Sequence, residues 1–147
     1  MKGHSTILLL LTVALLGLIV GMHVYERVLP ADAFFVYEKV ESVKPSVSSN
    51  EPIIMRSYFV SKVPQRLEYE NALYCDFGNG FIHVSRWEAA RPNVMANYLE
   101  NGTEWQYRGE RPHWAAECYM EVTIKRSMDY TSPKQQVIKS SKFWVEP

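Results

Sequence analysis

The sequence predicts an all-β, antiparallel sandwich domain behind a single N-terminal membrane-spanning helix. Three features predict this class: an uncharged aliphatic run near the N-terminus, a two-residue alternation of apolar and polar residues through most of the remaining chain, and a Gly-Asn-Gly turn between two such alternating runs. We therefore expect an anchor over residues 1–25, a linker over residues 26–33 and a β domain over residues 34–147.

The N-terminal segment carries the strongest signal. Residues 3–25 contain no Asp, Glu, Lys or Arg, and a helix from Ile7 to Tyr25 would span roughly 28 Å, close to the thickness of the hydrocarbon layer. A cleaved signal peptide is the alternative, since residues 31–33 (Ala-Asp-Ala) have the small-x-small form of a cleavage site. That site lies far behind the apolar core, whereas signal peptides are cut close to it. The spacing therefore favours a retained anchor.

The flanking charges predict the orientation of this anchor. Lys2 and the terminal amine are positive on the short side, while Glu26 and Arg27 nearly cancel on the other. Positive charge is retained in the cytoplasm. We expect a single-pass protein of the inner or plasma membrane, with its N-terminus cytoplasmic and its C-terminal domain periplasmic or extracellular.

Two glycines in the anchor, Gly17 and Gly21, fit the small-xxx-small pattern that allows two membrane helices to approach closely. This spacing predicts helix packing and a homodimer. The alternative is that glycine is simply common in such helices.

The exported part is read as short strands. Apolar residues alternate over residues 67–77, residues 78–80 form the turn, and residues 81–87 return as the partner strand. The longest alternation covers residues 114–125. Residues 88–100 are ambiguous, and their apolar positions fit a short helix.

The chain has two cysteines, and both lie on apolar strand faces. In an exported domain Cys75 and Cys118 are expected to form a disulfide, which would stabilise the fold by roughly 4 kcal/mol in the chain-entropy model. If the domain faced the cytosol, both would be buried thiols. A zinc site lacks a CxxC pair, and the apolar surroundings disfavour a reactive thiol.

Charge and motif content argue against nucleic-acid binding and catalysis. From Glu26 onward there are 16 − 1 = 15 basic and 16 acidic residues without a basic cluster, which disfavours a nucleic-acid partner. His83 and His113 lie in no nucleophile motif, and Glu68 and Glu70 share a polar strand face typical of a solvated sheet surface. We predict no enzyme activity, no cofactor and no metal site.

Aromatic residues at outward positions give the best candidates for a binding surface. Tyr119 falls on an outward strand position, and Trp105 and Tyr107 flank a Gly-rich turn, so these three residues are expected to contribute to a surface for a protein or sugar partner. The alternative is a second buried face.

Three segments, "LYCDFGNGF", "ECYMEVTIK" and "KFWVEP", together with the single anchor, resemble small single-pass membrane proteins with an immunoglobulin-like ectodomain, of the kind found among tailed phages and bacteria. The resemblance implies an Ig-like β-sandwich in the periplasm, and it supplies no functional residues.

These observations together lead us to expect a membrane-tethered, non-catalytic interaction module. It would contact the lipid bilayer and a protein partner in the envelope. The resemblance suggests a phage-encoded protein that acts on the host envelope or on superinfection. The alternative is an accessory subunit that docks on a larger membrane complex through its transmembrane helix.

Overall fold

The structure is a computed structural model and describes residues 2–126 and 133–147, with side chains from Ser5 onward. The chain divides into two compact units, Met1–Pro30 and Ala31–Pro147.

The first unit is a helix, α1 (Lys2–Val28). Its segment Ser5–Val28 is long and apolar enough to cross a membrane, since 24 residues rise about 36 Å. The side chains of residues 5–25 are all exposed. The helix continues three residues beyond its expected end at Tyr25, through the charged pair that follows.

The second unit, which we call the β unit, consists mainly of strands. After a short 3-10 helix (Ala31–Ala33), the described residues form β1 (Phe35–Ser42), β2 (Ser46–Val47), β3 (Ile54–Ser61), β4 (Gln65–Asp76), β5 (Phe81–Val94), β6 (Tyr98–Gln106), β7 (Ala116–Arg126), β8 (Lys134–Lys139) and β9 (Phe143–Val145). One sheet has the order β1-β3-β6, and the other has the order β2-β9-β7-β4-β5 with β8 also paired to β7. All pairs are antiparallel except β2 with β9, which is parallel.

The core lies between the inner faces of the two sheets. In β7 every second residue is buried, and β3 alternates in the same way. The largest fully buried side chains come from both sheets: Phe35, Phe59, Met55, Leu67, Leu73, Met120 and Ile124. This alternation is the two-residue period that the sequence displays, and it fixes the register because a shift by one residue would expose these side chains.

The interpretation of residues 88–100 as a short helix is wrong. β5 runs to Val94 and β6 begins at Tyr98, with Asn97 in the left-handed conformation of a tight turn (φ 58°). The strand period is obscured here because Ala89 and Arg91, rather than large apolar residues, occupy inward positions opposite the β4 core face.

The strand predicted over residues 114–125 is also corrected: it begins later than expected, and β5 and β4 are longer than it. Trp114, expected on the buried face of β7, precedes that strand and is 70% exposed. Its ring packs edge-on against Phe77, with 6.2 Å between ring centroids.

The two sides of the second unit differ. On one side, the backbone N–H of Tyr37 in β1 donates to Oε1 of Gln136 in β8 at 2.9 Å, which connects the two sheets. On the other side, β5 and β6 are the terminal strands of their sheets, and within the described residues neither has a second neighbour. We call this side, on which each sheet ends in a strand whose outer edge is unpaired in the described residues, the open side.

One arginine connects two irregular segments. Nη1 of Arg111 donates to the carbonyl oxygens of Ser48 (3.1 Å) and Ser49 (2.6 Å), and its Nη2 donates to that of Glu51 (2.5 Å). The loop between β2 and β3 is thereby fixed to the connection between β6 and β7.

Candidate functional site

The disulfide joins Cys75 on β4 to Cys118 on β7, which are directly opposite each other in register. Their Cα atoms lie 4.1 Å apart, and both residues are fully buried. The bond therefore lies within one sheet and joins the β4–β5 hairpin to the neighbouring inner strand, β7.

The three aromatic residues predicted as one partner surface lie in different places. Tyr107 is 4% exposed and its hydroxyl is 2.6 Å from Oγ of Ser85, so it is a core residue and not a surface one. Trp105 lies on the inner side of β6, at the open side. Tyr119 lies on the outer face of the larger sheet. The predicted single surface is therefore wrong.

Tyr119 belongs to a half-buried cluster that we call the outer aromatic patch: Tyr74, Phe81 and Tyr119. Tyr74 and Tyr119 are cross-strand neighbours with stacked rings, 5.2 Å between centroids and 7° between planes. Two lysines cover this patch, with Nζ of Lys139 5.3 Å from the Tyr119 ring and Nζ of Lys142 4.8 Å from the Phe81 ring. The aromatic rings of this patch therefore already have stacking and cation–π contacts within the protein.

The open side contains a cavity of about 180 Å³ between the two sheets, which we call the open-edge cleft. Its main lining residues come from four strands: Tyr37, Tyr69, Trp87, Arg91, Glu100 and Trp105. Trp87 of β5 and Trp105 of β6 face each other across the opening, with 6.2 Å between ring centroids. Both are half-buried. The cleft is therefore mostly aromatic, with a single charged pair.

That pair is Arg91 with Glu100. The Glu100 side chain is 3% exposed, and it accepts hydrogen bonds from Nη1 of Arg91, from Oγ of Ser57 (2.5 Å) and from the hydroxyl of Tyr98 (3.3 Å). The Arg91 side chain is 39% exposed, and its guanidinium carbon lies 5.5 Å from the centroid of the Tyr69 ring. A carboxylate buried this deeply requires such partners, since an unpaired buried charge is strongly unfavourable.

Burial makes two tyrosine hydroxyls of the cleft harder to ionise than exposed ones. Burial raises the pKa of Tyr37, and burial likewise raises the pKa of Tyr69. The Tyr69 hydroxyl oxygen is buried, and no hydrogen-bond partner for it exists within the part of the chain that the structure describes. The cleft thus holds a buried polar atom whose hydrogen-bonding capacity is unsatisfied within the described residues.

The backbone beside the cleft also has free hydrogen-bonding capacity. β5 is 14 residues long and, in the described chain, pairs only with β4. A terminal strand presents unpaired N–H and C=O groups along its outer side. The open side therefore offers both a backbone edge and an aromatic cleft.

The other candidate residues show no catalytic arrangement. The carboxylate of Glu70 lies 3.3 Å from Nζ of Lys125, and that of Glu68 lies 3.6 Å from Nη2 of Arg66, as in a solvated charged surface. The His83 ring packs edge-on against Tyr74. Among residues 2–126 and 133–147, no three His, Cys, Asp or Glu side chains come together in a group that could hold a metal ion.

Gly17 and Gly21 lie in α1, and a Cβ atom placed on either would meet nothing within 4 Å. Both positions are therefore open to a neighbouring helix, and they are four residues apart on one face.

Sequence reasoning missed Trp87, Arg91 and Glu100 as site residues. Arg91 lies two residues after Ala89 and four residues after Trp87, so Trp87, Ala89 and Arg91 share one face of a strand. This spacing is the signal that could have identified Trp87 and Arg91. A charge on the inward face of a strand requires a partner, and Glu100 is the nearest acidic residue that follows Arg91 in the chain.

Comparison with known proteins gives no match: no family model, no curated protein and no solved structure is significantly similar to this chain.

Proposed function

We propose that this protein is a membrane-tethered, non-catalytic interaction module that binds a protein partner through the open side of its β unit. The observation that carries this proposal is the free edge of β5 beside the open-edge cleft. Edge strands with an unpaired outer side are places where another chain can add as a further strand, with main-chain hydrogen bonds for affinity and side-chain pockets for specificity.

The cleft has the composition of a protein-binding pocket. Tryptophan, tyrosine and arginine are the residues most enriched at interface positions that contribute most to binding energy. Trp87, Trp105 and Arg91 meet at the opening, and the Tyr69 hydroxyl inside has no partner among the described residues. An incoming side chain would bury the remaining exposed surface of the two indole rings.

This proposal places the β unit outside the cytoplasm, as an Ig-like ectodomain in the periplasm or extracellular space. The apolar helix, the disulfide and the charge of Lys2 support this topology. Alkaline phosphatase and green fluorescent protein, fused in turn after Pro147, provide the test. We expect phosphatase activity and no fluorescence, and the reverse result would contradict the proposed topology.

A narrower version of this role is a phage-encoded membrane protein that acts on the host envelope or on superinfection. It rests on the resemblance of the turn and cysteine segments alone. Reduced infection of cells that express the full chain would support it, and unchanged infection by a panel of tailed phages would contradict it.

Site-specific photo-crosslinking tests the binding surface. A photoreactive amino acid replaces Ala90, which is exposed on β5, in the full chain in membranes. The matched control replaces Val137, which is 48% exposed on β8. We expect an adduct at position 90 and none at position 137. No adduct at position 90, or equal adducts at both positions, would overturn the proposal.

A second candidate role is that of an accessory subunit that docks through its transmembrane helix. The open face at Gly17 and Gly21 favours it. Replacing both glycines with leucine would abolish association under this role, while the proposal above expects the crosslink at position 90 to persist.

A further inference from the structure

The free edge of β5 has a charge pattern that is complementary to itself. Arg86 and Glu88 lie on the outer face of the strand, separated by Trp87 on the inner face. The Arg86 side chain is 60% exposed, and its nearest carboxylate, that of Glu70, is 3.9 Å away. Glu88 is exposed. Both charges are therefore accessible to a neighbouring strand.

We propose that the occupant of the open side is a second copy of this chain, paired antiparallel through β5 about a two-fold axis at Trp87. In this register Arg86 of each copy lies opposite Glu88 of the other, so that two ion pairs form. On the inner face the two Trp87 side chains meet, and Ser85 lies opposite Ala89 of the second copy. This inference rests on the proposed function and names its partner.

The register follows from geometry. Residues directly opposite each other in an antiparallel pair lie on the same face, so the two-fold axis of two identical strands must pass through a residue position. An axis at Arg86 would place two arginines opposite each other, and an axis at Glu88 would place two glutamates opposite each other. Like charges in direct opposition are destabilising. Only the axis at Trp87, among these three, pairs opposite charges.

The ends of the pairing are also defined by the structure. A bulge between Ser85 and His83 reverses the faces of β5 at one end, and Pro92, which has no N–H, lies near the other. The self-complementary segment between them, residues 85–89, contains no proline and no uncompensated charge. Two anchors in one membrane would raise the effective concentration of the two edges.

Charge reversal tests this inference on the full chain in lipid nanodiscs or detergent micelles. Dimerisation is measured by energy transfer between copies with different fluorescent labels at their C-termini. Arg86→Glu and Glu88→Arg each place like charges opposite each other twice, and we expect each variant to dimerise about tenfold more weakly.

Combinations of these variants make the test specific. The double variant R86E/E88R restores opposite charges and is expected to dimerise like the natural chain. An equimolar mixture of the two single variants is expected to form mixed dimers, because two acidic positions then face two basic ones. Lys139→Glu is the control, because Lys139 is 61% exposed on β8, which β7 and β4 separate from β5, and its reversal should leave dimerisation unchanged.

The inference is overturned if neither single variant weakens dimerisation, or if the mixture fails to form mixed dimers. It is also overturned if dimers are lost only when Gly17 and Gly21 are replaced by leucine. A crosslink from position 90 to a different protein alone would overturn this inference while leaving the proposed function intact. No crosslink at all would overturn both.

Discussion

Replacement of Arg91 by methionine should destabilise the β unit, because it leaves Glu100 as a buried charge without its cation. Methionine keeps most of the apolar length of the arginine side chain and removes only the guanidinium. The Glu100 carboxylate would keep its hydrogen bonds from Ser57 and Tyr98. Breaking a fully buried pair costs about 3–5 kcal/mol. Because the Arg91 side chain is 39% exposed, solvent weakens this pair, and we expect a loss of about 2–3 kcal/mol.

The second variant isolates the charge. In the double variant Arg91→Met/Glu100→Gln, the amide is neutral and can still accept from Ser57, so no buried charge remains. We expect this double variant to be more stable than Arg91→Met alone, at a cost of about 1 kcal/mol relative to the natural chain. This recovery of stability in the double variant distinguishes the effect of an unpaired buried charge from that of lost packing.

The assay is urea unfolding of the full chain in detergent micelles, followed by tryptophan fluorescence. Trp87 and Trp105 line the cleft and will report its opening directly. Arg66→Met is the control: Arg66 is 60% exposed and 3.6 Å from Glu68, so its loss should cost under about 0.5 kcal/mol. The reasoning is refuted if Arg91→Met is as mild as this control, or if the double variant is no more stable than Arg91→Met.

Three further predictions concern the core. Replacing Cys75 and Cys118 with alanine should lower the free energy of unfolding by about 4 kcal/mol, given the sequence separation of 43. Alkylation of either cysteine in the unreduced natural protein would contradict the disulfide. Tyr69→Phe should be neutral or stabilising by up to about 1 kcal/mol, because the buried hydroxyl has no partner among the described residues. Burial raises the pKa of Tyr69, so above pH 10 the unfolded chain loses a proton that the folded chain keeps, and stability falls with rising pH. This fall should be smaller in Tyr69→Phe. The same dependence of unfolding free energy on alkaline pH in both proteins would refute this prediction. Gly109→Ala should cost about 1–3 kcal/mol in the same unfolding assay, because a Cβ atom there would overlap the buried Tyr107 ring. A cost no larger than that of an alanine substitution at an exposed position would show that the ring can move aside.

The general architecture could be predicted because it depends on local periodicity. The aliphatic run gives a helix that is long enough to span a membrane, and the alternation along β4 and β7 gives antiparallel strands with a buried face. The glycines of the β4–β5 turn adopt positive φ angles, as that turn requires. These signals survive because each depends on residues that are close in sequence.

The candidate site could not be predicted because it depends on pairing between distant positions. Arg91 lies beside Tyr69 of β4 and Glu100 of β6 only in the folded protein, and the local sequence does not show this pairing. Tyr107 was expected at the surface because it lies beside a Gly-rich turn, but it is buried and its hydroxyl reaches the half-buried Ser85 on β5. Alternation identifies the face of a strand, and it does not show which strands remain at an edge.

The Arg111 side chain has a consequence for motion. Since its guanidinium holds three carbonyl oxygens of the 48–51 loop, neither that loop nor the segment that carries Arg111 can open without breaking the same bonds. Amide hydrogen exchange should therefore report the two segments as one opening unit, although about sixty residues separate them in the chain.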